Sequence, residues 1–170
     1  MKGMKVLINV ILDILIFVLV IGIVLAFYGF IQTKVMNKKY SNYFGYTYFQ
    51  ILTGSMESTI NIDDVVFVHI TDKINENDII SYESDNSVIT HRVIEVLDDG
   101  YVTKGDNNNT SDGVIEKDKV IGKVVYIAKG LGKFKKVIME PIVFIPFIAM
   151  IILFTWYFSL VKKERSIEDE

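Results

Sequence analysis

Apolar residues are distributed in two different ways along this chain. Val6 to Ile31 is almost continuously apolar, broken only by a few polar positions such as Asn9 and Asp13. At about 26 residues it can cross roughly 30 Å of hydrocarbon as a helix. It is too long for a signal-peptide core, and no small-x-small cleavage site follows, so it reads as an uncleaved anchor. A second apolar run, Ile142 to Val161, is about 20 residues long, with Pro141 and Pro146 near its start and Trp156 and Tyr157 near its far end. Asp13 reads as a headgroup-level carboxylate near Asn9 and Lys5, or as a contact to a second helix or partner subunit.

Between these runs the pattern shortens. Tyr40 to Phe49 is crowded with aromatic rings, the residues that favour a bilayer interface. Ile51-Leu52 reads as the end of a short strand. Val65 to Ile70, Ile79 to Tyr82, Val88 to Leu97, Tyr101 to Thr103 and Val120 to Ile127 follow as β-rich bursts. Asp98-Asp99-Gly100 supplies a hairpin turn, and Asp106 to Gly113 a polar loop. Short strands separated by turns, with no amphipathic helix between them, predict a mainly β fold: a small all-β domain flanked by two transmembrane helices. The expected segments are a short N-terminus over 1–5, a transmembrane helix over 6–31, a β domain over 40–132, a second transmembrane helix over 138–161 and a tail over 162–170.

Composition sharpens this. Of 170 residues, 51% are hydrophobic and the mean hydropathy is +0.35, which points to membrane segments. With no cysteine, thiol catalysis, disulfides and thiolate metal sites are all excluded. A net charge of -3 and the lack of a basic stripe give no sign of nucleic acid. Two scattered histidines fit no metal-ligand spacing, so neither metal nor cofactor is implied.

Three short stretches carry candidate chemistry. Thr53-Gly54-Ser55-Met56-Glu57-Ser58-Thr59 has a glycine before a serine, which permits a sharp turn that projects the hydroxyl. Thr90-His91-Arg92-Val93 lies in a strand, and Lys104-Gly105-Asp106-Asn107-Asn108 is followed by Asp112. A serine, a histidine and an aspartate are the parts of a nucleophile, its base and the group that orients the base. His69 is a rival base at the end of an apolar strand, and Lys104 a rival of the Ser-Lys kind. A β-lactamase-type Ser-x-x-Lys is absent.

Together these stretches resemble the type I signal peptidases of the endoplasmic-reticulum-like branch, over about Tyr48 to Gly132. Two positions depart from that family's pattern: Ser58 stands where it has proline, and Asp63-Asp64 where it usually has Gly-Asp. The resemblance implies Ser55 as nucleophile, His91 as general base and Asp112 as orienting carboxylate. Asp106 is the alternative for that role and otherwise ties down the loop. The oxyanion donors it implies are the Ser55 backbone N–H and the Thr53 hydroxyl. It further implies a membrane-bound serine endopeptidase that cleaves N-terminal signal peptides from secreted preproteins. Its partners would be those signal peptides and the lipid bilayer; it leaves partner subunits open. It places a multi-pass protein in the cell membrane with 1–5 and 162–170 in the cytoplasm and the catalytic domain outside, although with Lys34, Lys38, Lys39, Lys129, Lys133, Lys135 and Lys136 outside, charge counting does not favour that orientation. The alternative function is a catalytically inactive, membrane-anchored β-domain acting as a binding or scaffolding subunit.

Overall fold

The computed structural model describes residues 2–85 and 87–138; the second apolar run, the acidic tail and the side chain of Asp13 lie outside the described part. The chain opens with one long apolar helix, α1 (Lys2–Phe30), extended by a single π-helical turn over Ile31–Val35. It is the one helix among the described residues long and apolar enough to cross a membrane, and its most apolar stretch is Ile14–Val35. From Ile14 to Phe30, aliphatic and aromatic side chains cover all of its sides, so this part has no polar face for a water-filled surround.

Seven strands follow: β1 (Tyr46–Gln50), β2 (Val65–His69), β3 (Ile79–Ser84), β4 (Ser87–Val96), β5 (Gly100–Lys104), β6 (Val114–Glu116) and β7 (Val120–Ala128). They form one antiparallel sheet in the order β1-β2-β7-β3-β4-β5-β6. A short helix, α2 (Leu131–Ile138), closes the described chain. The mainly β expectation holds, with one apolar helix at its N-terminal end.

Strand residues and the loops between them together form two buried clusters. Ile51, Met56, Ile60, Val66, Val68 and Ile121 form one. Ile74, Ile80, Tyr82, Val93 and Tyr101 form the other. Each fully buried aliphatic side chain contributes about 1.5–3 kcal/mol. Met56 and Ile60, both fully buried, come from the serine stretch itself, so the core holds that loop from below.

Three local readings change. The strand expected to end at Ile51-Leu52 stops at Gln50, although Ile51 still trades backbone bonds with Asp63 and Asp64. β6 is an addition to the expected strands: its one apolar pair, Val114-Ile115, is too short to stand out, and it is held by pairing with Gly100–Val102. α2 is a second addition, on a short segment, Leu131 to Ile138, that carries Lys133, Lys135 and Lys136.

The departure at Ser58 proves larger than a loosened turn. Ser58 sits at φ +81, in the left-handed region, and Asp63 at φ +68. A proline ring fixes φ near −65°, so this backbone excludes it. Ser58→Pro is therefore expected to lower unfolding stability by more than about 1 kcal/mol in denaturant titration, since incompatible prolines cost more than compatible ones add. A Ser58→Pro chain as stable as the parent would mean that the turn does not have this hand.

Candidate active site

The serine stretch folds as a compact turn rather than a strand end. Glu57 N–H donates to Gly54 O, and Thr59 and Ile60 N–H both donate to Met56 O. Gly54 is outside the left-handed region, and the nearest atoms a Cβ there would meet belong to the flexible Glu57 carboxylate. The glycine that the turn cannot lose is Gly105: a Cβ on it would lie 2.5 Å from the carbonyl oxygen of Ser55. That carbonyl accepts a 2.8 Å bond from Asn107 N–H, and the Asn107 amide donates to Gly54 O at 3.1 Å. Met56 Sδ also faces Asp106 N–H at 3.3 Å. The loop after β5 thus grips the serine turn by its backbone while Met56 and Ile60 plug it into the core.

His91 comes from the middle of β4, opposite Ile80, and is buried. Its Nε2 is 3.0 Å from Ser55 Oγ, and its Nδ1 is 2.5 Å from Asp112 Oδ2. Asp112 is drawn in by its own N–H, which donates to Thr103 O at 2.8 Å. Its Oδ2 also lies 2.8 Å from Thr103 Oγ1 and 3.2 Å from the Tyr82 hydroxyl. Burial pushes the Tyr82 phenol up to about 12, with the nearby Asp112 charge acting in the same direction and the Thr103 bond opposing it. Tyr82 therefore keeps its proton as a donor through the whole neutral range.

Asp106 has a different task. Its carboxylate takes a forked pair from Arg92, at 2.8 Å from Nε and 2.7 Å from one terminal nitrogen, and a 2.5 Å bond from the Thr59 hydroxyl. The Arg92 bonds hold its carboxyl below the usual carboxylate range, against a smaller opposing effect of burial. Arg92 also donates to Asn77 O. Asp106 joins β4 to the serine turn and makes no bond to His91 among those described.

Thr53 Oγ1 lies 3.3 Å from Ser55 Oγ, on the exposed side of the turn. The two rival bases sit elsewhere. His69 stacks on Tyr46, ring centres 4.9 Å apart, and Lys104 ends β5 in register with Arg92. No group of three or more metal-ligating side chains occurs among the described residues.

A cleft of about 530 Å³ runs up to the Ser55–His91 pair. One bank is Phe49 to Thr53 and the other is Ser87 to Thr90. Over Ser87 to His91, β4 is paired only with β3, because β5 joins it from Arg92 onward. The edge facing the cleft is unpaired among the described residues, which leaves backbone donors and acceptors for an extended chain.

Sequence reasoning did not find Tyr82 or Thr103 as site residues, because each acts across strands through contacts that no local pattern announces. Thr59, Arg92 and Asn107 stand inside the quoted stretches with roles that those stretches do not reveal.

This arrangement can be set beside known proteins. The profile of the family described as Peptidase S24-like matches residues 31–125. Signal peptidase I W of Bacillus subtilis (strain 168) is 36% identical over 84 residues, which cover 45% of this chain and 44% of that relative. The matched region thus spans less than half the length of the curated relative. The serine turn, the histidine strand and the aspartate loop all fall within the span of the profile, and on that match, over more than half of its length, the chain belongs to the Peptidase S24-like family.

Proposed function

We propose that the chain is a membrane-bound serine endopeptidase that removes N-terminal signal peptides from secreted preproteins, with the Ser-His-Asp chemistry of the endoplasmic-reticulum-like branch. The carrying observation is the line Ser55 Oγ, His91 Nε2, His91 Nδ1, Asp112 Oδ2, with contacts of 3.0 and 2.5 Å. Similarity to a signal peptidase I supports the substrate class. A lysine base would occupy the histidine position in the other branch of such enzymes; here that position is His91, and Lys104 stands apart.

The chemistry follows from these contacts. A serine hydroxyl attacks a carbonyl only as its proton leaves, and His91 Nε2 lies within reach to take it. The imidazolium that forms is stabilised by the Asp112 carboxylate, which also fixes Nδ1 as the protonated nitrogen. Thr103 and Tyr82 hold that carboxylate in place. The oxyanion is met by the Ser55 N–H and the Thr53 hydroxyl. His91 then returns the proton to the departing amine, and the same imidazole deprotonates the water that releases the acyl group from Ser55. Asp106 is a positioning residue, tying the serine turn to β4.

The substrate would lie extended in the cleft, paired with the free edge of β4 between Val88 and Thr90. From His91 back to Val88 the strand rises about 10 Å, three residues at roughly 3.3 Å each. The cleft then reads the few residues just ahead of the scissile bond. We place the β domain over 40–132 on the extracytoplasmic side, carried by the helix over 6–31 and a second span over 138–161.

The test uses the full chain in lipid and a preprotein with a signal peptide, with the cut mapped by mass spectrometry. The parent should cut once, at the end of the signal peptide. Thr53→Val should cut the same bond about 100- to 1,000-fold more slowly, the usual loss for one oxyanion donor. A parent chain that binds preproteins without cutting would favour the scaffolding role instead.

A further inference from the structure

The cleft occupies a gap in the sheet. β1 is an edge strand, and β4 is paired only with β3 over Ser87 to His91. The two are not paired with each other among the described residues, so their banks are free to stand at a width that something else must set. Ser55 and His91 mark one end of the gap. Phe49, Ser87 and Val88 stand on its banks at the other.

Two consecutive residues of the linker between α1 and β1 reach both banks at that far end. The Tyr40 ring meets Phe49 edge-on, ring centres 6.1 Å apart, and packs with Phe49 and Val88 against the cluster that holds Ile51 and Val66. Lys39 Nζ donates to the Glu83 carboxylate, and Glu83 lies opposite Val88 in the β3–β4 register. Burial raises the Tyr40 phenol above its ordinary value, and the Glu83 charge acts in the same direction. One dipeptide thus bridges the β1 bank and the β4 bank.

The bridge is anchored on both sides. Before it, Lys38 N–H donates to Gln32 O at 2.9 Å. After it, the Ser41 hydroxyl donates to Gly29 O at 3.3 Å. The side chain of the buried Gln32 donates to Asn42 O and accepts from Asn42 N–H, each at 3.0 Å. Lys39 and Tyr40 are therefore held out from the end of α1 as a fixed loop. The Lys39–Glu83 pair could not do this alone, because Lys39 is exposed and surface ion pairs contribute little.

Distance along β4 decides what the bridge can touch. From His91 back to Ser87 the strand rises about 13 Å, four residues at roughly 3.3 Å each. A peptide extended beside β4, with its scissile bond at Ser55, brings about its fourth residue ahead of that bond level with Ser87. We infer that Lys39 and Tyr40 form a stop at the far end of the substrate cleft, admitting a small side chain and rejecting a large one at about that fourth residue. The inference deepens the proposed function and rests on its placement of the peptide along β4.

The experiment uses the full chain in lipid and one preprotein made with alanine or tryptophan at the fourth residue ahead of the cut. A second pair carries the same change at the residue immediately ahead of it. For the fourth-residue pair the parent should show a kcat/KM about tenfold or more higher with alanine, the scale on which a packed site resists added volume. Tyr40→Ala should remove most of that preference and leave the preference next to the cut at its parental ratio. Because loss of the ring can loosen the fold, Glu83→Gln serves as a second variant: it keeps Tyr40, weakens the tie to Lys39, and should shift the same ratio in the same direction. A parent that cuts both fourth-residue forms equally well would overturn the inference. So would a ratio unchanged in both variants, or an equal change at both positions, which would mean a cleft loosened throughout. A parent that cuts none of the four preproteins would instead remove the proposed function, and the stop with it.

Discussion

Ser55→Ala is expected to leave the chain folded and to remove its processing activity, with kcat lower by on the order of 10⁶. Both halves of this expectation follow from where the hydroxyl sits. Ser55 Oγ has two described partners, Thr53 Oγ1, which is exposed, and Nε2 of the buried His91, whose ring keeps its Asp112 bond and lines the open cleft when the hydroxyl goes. What holds the turn is its backbone, gripped by Asn107, and the burial of Met56 and Ile60. Removal of one partly exposed hydroxyl should therefore change stability by no more than about 1 kcal/mol. Activity has no such reserve, since no second nucleophile lies beside His91 among the described residues. The measurement is preprotein processing in membranes, set beside thermal unfolding of both chains. If the Ser55→Ala chain is equally folded and cuts at the parental rate, Ser55 is not the nucleophile.

The chain's periodicity and its chemistry are legible to different depths. β2, β3, β4 and β7 can be read because a β-branched burst between turns leaves few alternatives. The same logic fails for β6, whose Val114-Ile115 pair is too short to be told from loop and is a strand because Gly100–Val102 offers it an edge. Ser55, His91 and Asp112 stand out as residue types at turns and strands, yet their contacts are made over 36 and 21 residues of chain. Strand order decides such contacts, and strand order has no local signature. Gly105 shows the limit most plainly. Its role comes from the approach of the Ser55 carbonyl, which no inspection of Lys104-Gly105-Asp106 alone could supply. At Ser58, by contrast, the sequence does flag a departure, and only the backbone angle reveals that the turn has the opposite hand.

Asp112→Asn and Asp106→Asn should separate two carboxylates that sit only six residues apart. In the first, an amide replaces the acceptor facing His91 Nδ1, so the imidazole can be held in the wrong tautomer and the imidazolium loses its counter-charge. The expected loss is about 10⁴-fold in kcat, the scale seen when the orienting aspartate of such a triad becomes asparagine. Asp106→Asn leaves the His91 contacts untouched and weakens the bonds from Arg92 and Thr59 that fasten the serine turn. Its loss in kcat should be clearly smaller, and it should be joined by reduced stability. That stability has a pH dependence of definite sign. The folded Asp106 carboxyl is held low by Arg92, so its contribution is complete above the unfolded value of about 3.9 and is lost as pH falls through the lower folded value. The stability gap between parent and Asp106→Asn should accordingly be full at neutral pH and close below about pH 4. Equal losses of kcat in the two variants, with no stability gap for Asp106→Asn, would remove the distinction between orienting and fastening on which these assignments depend.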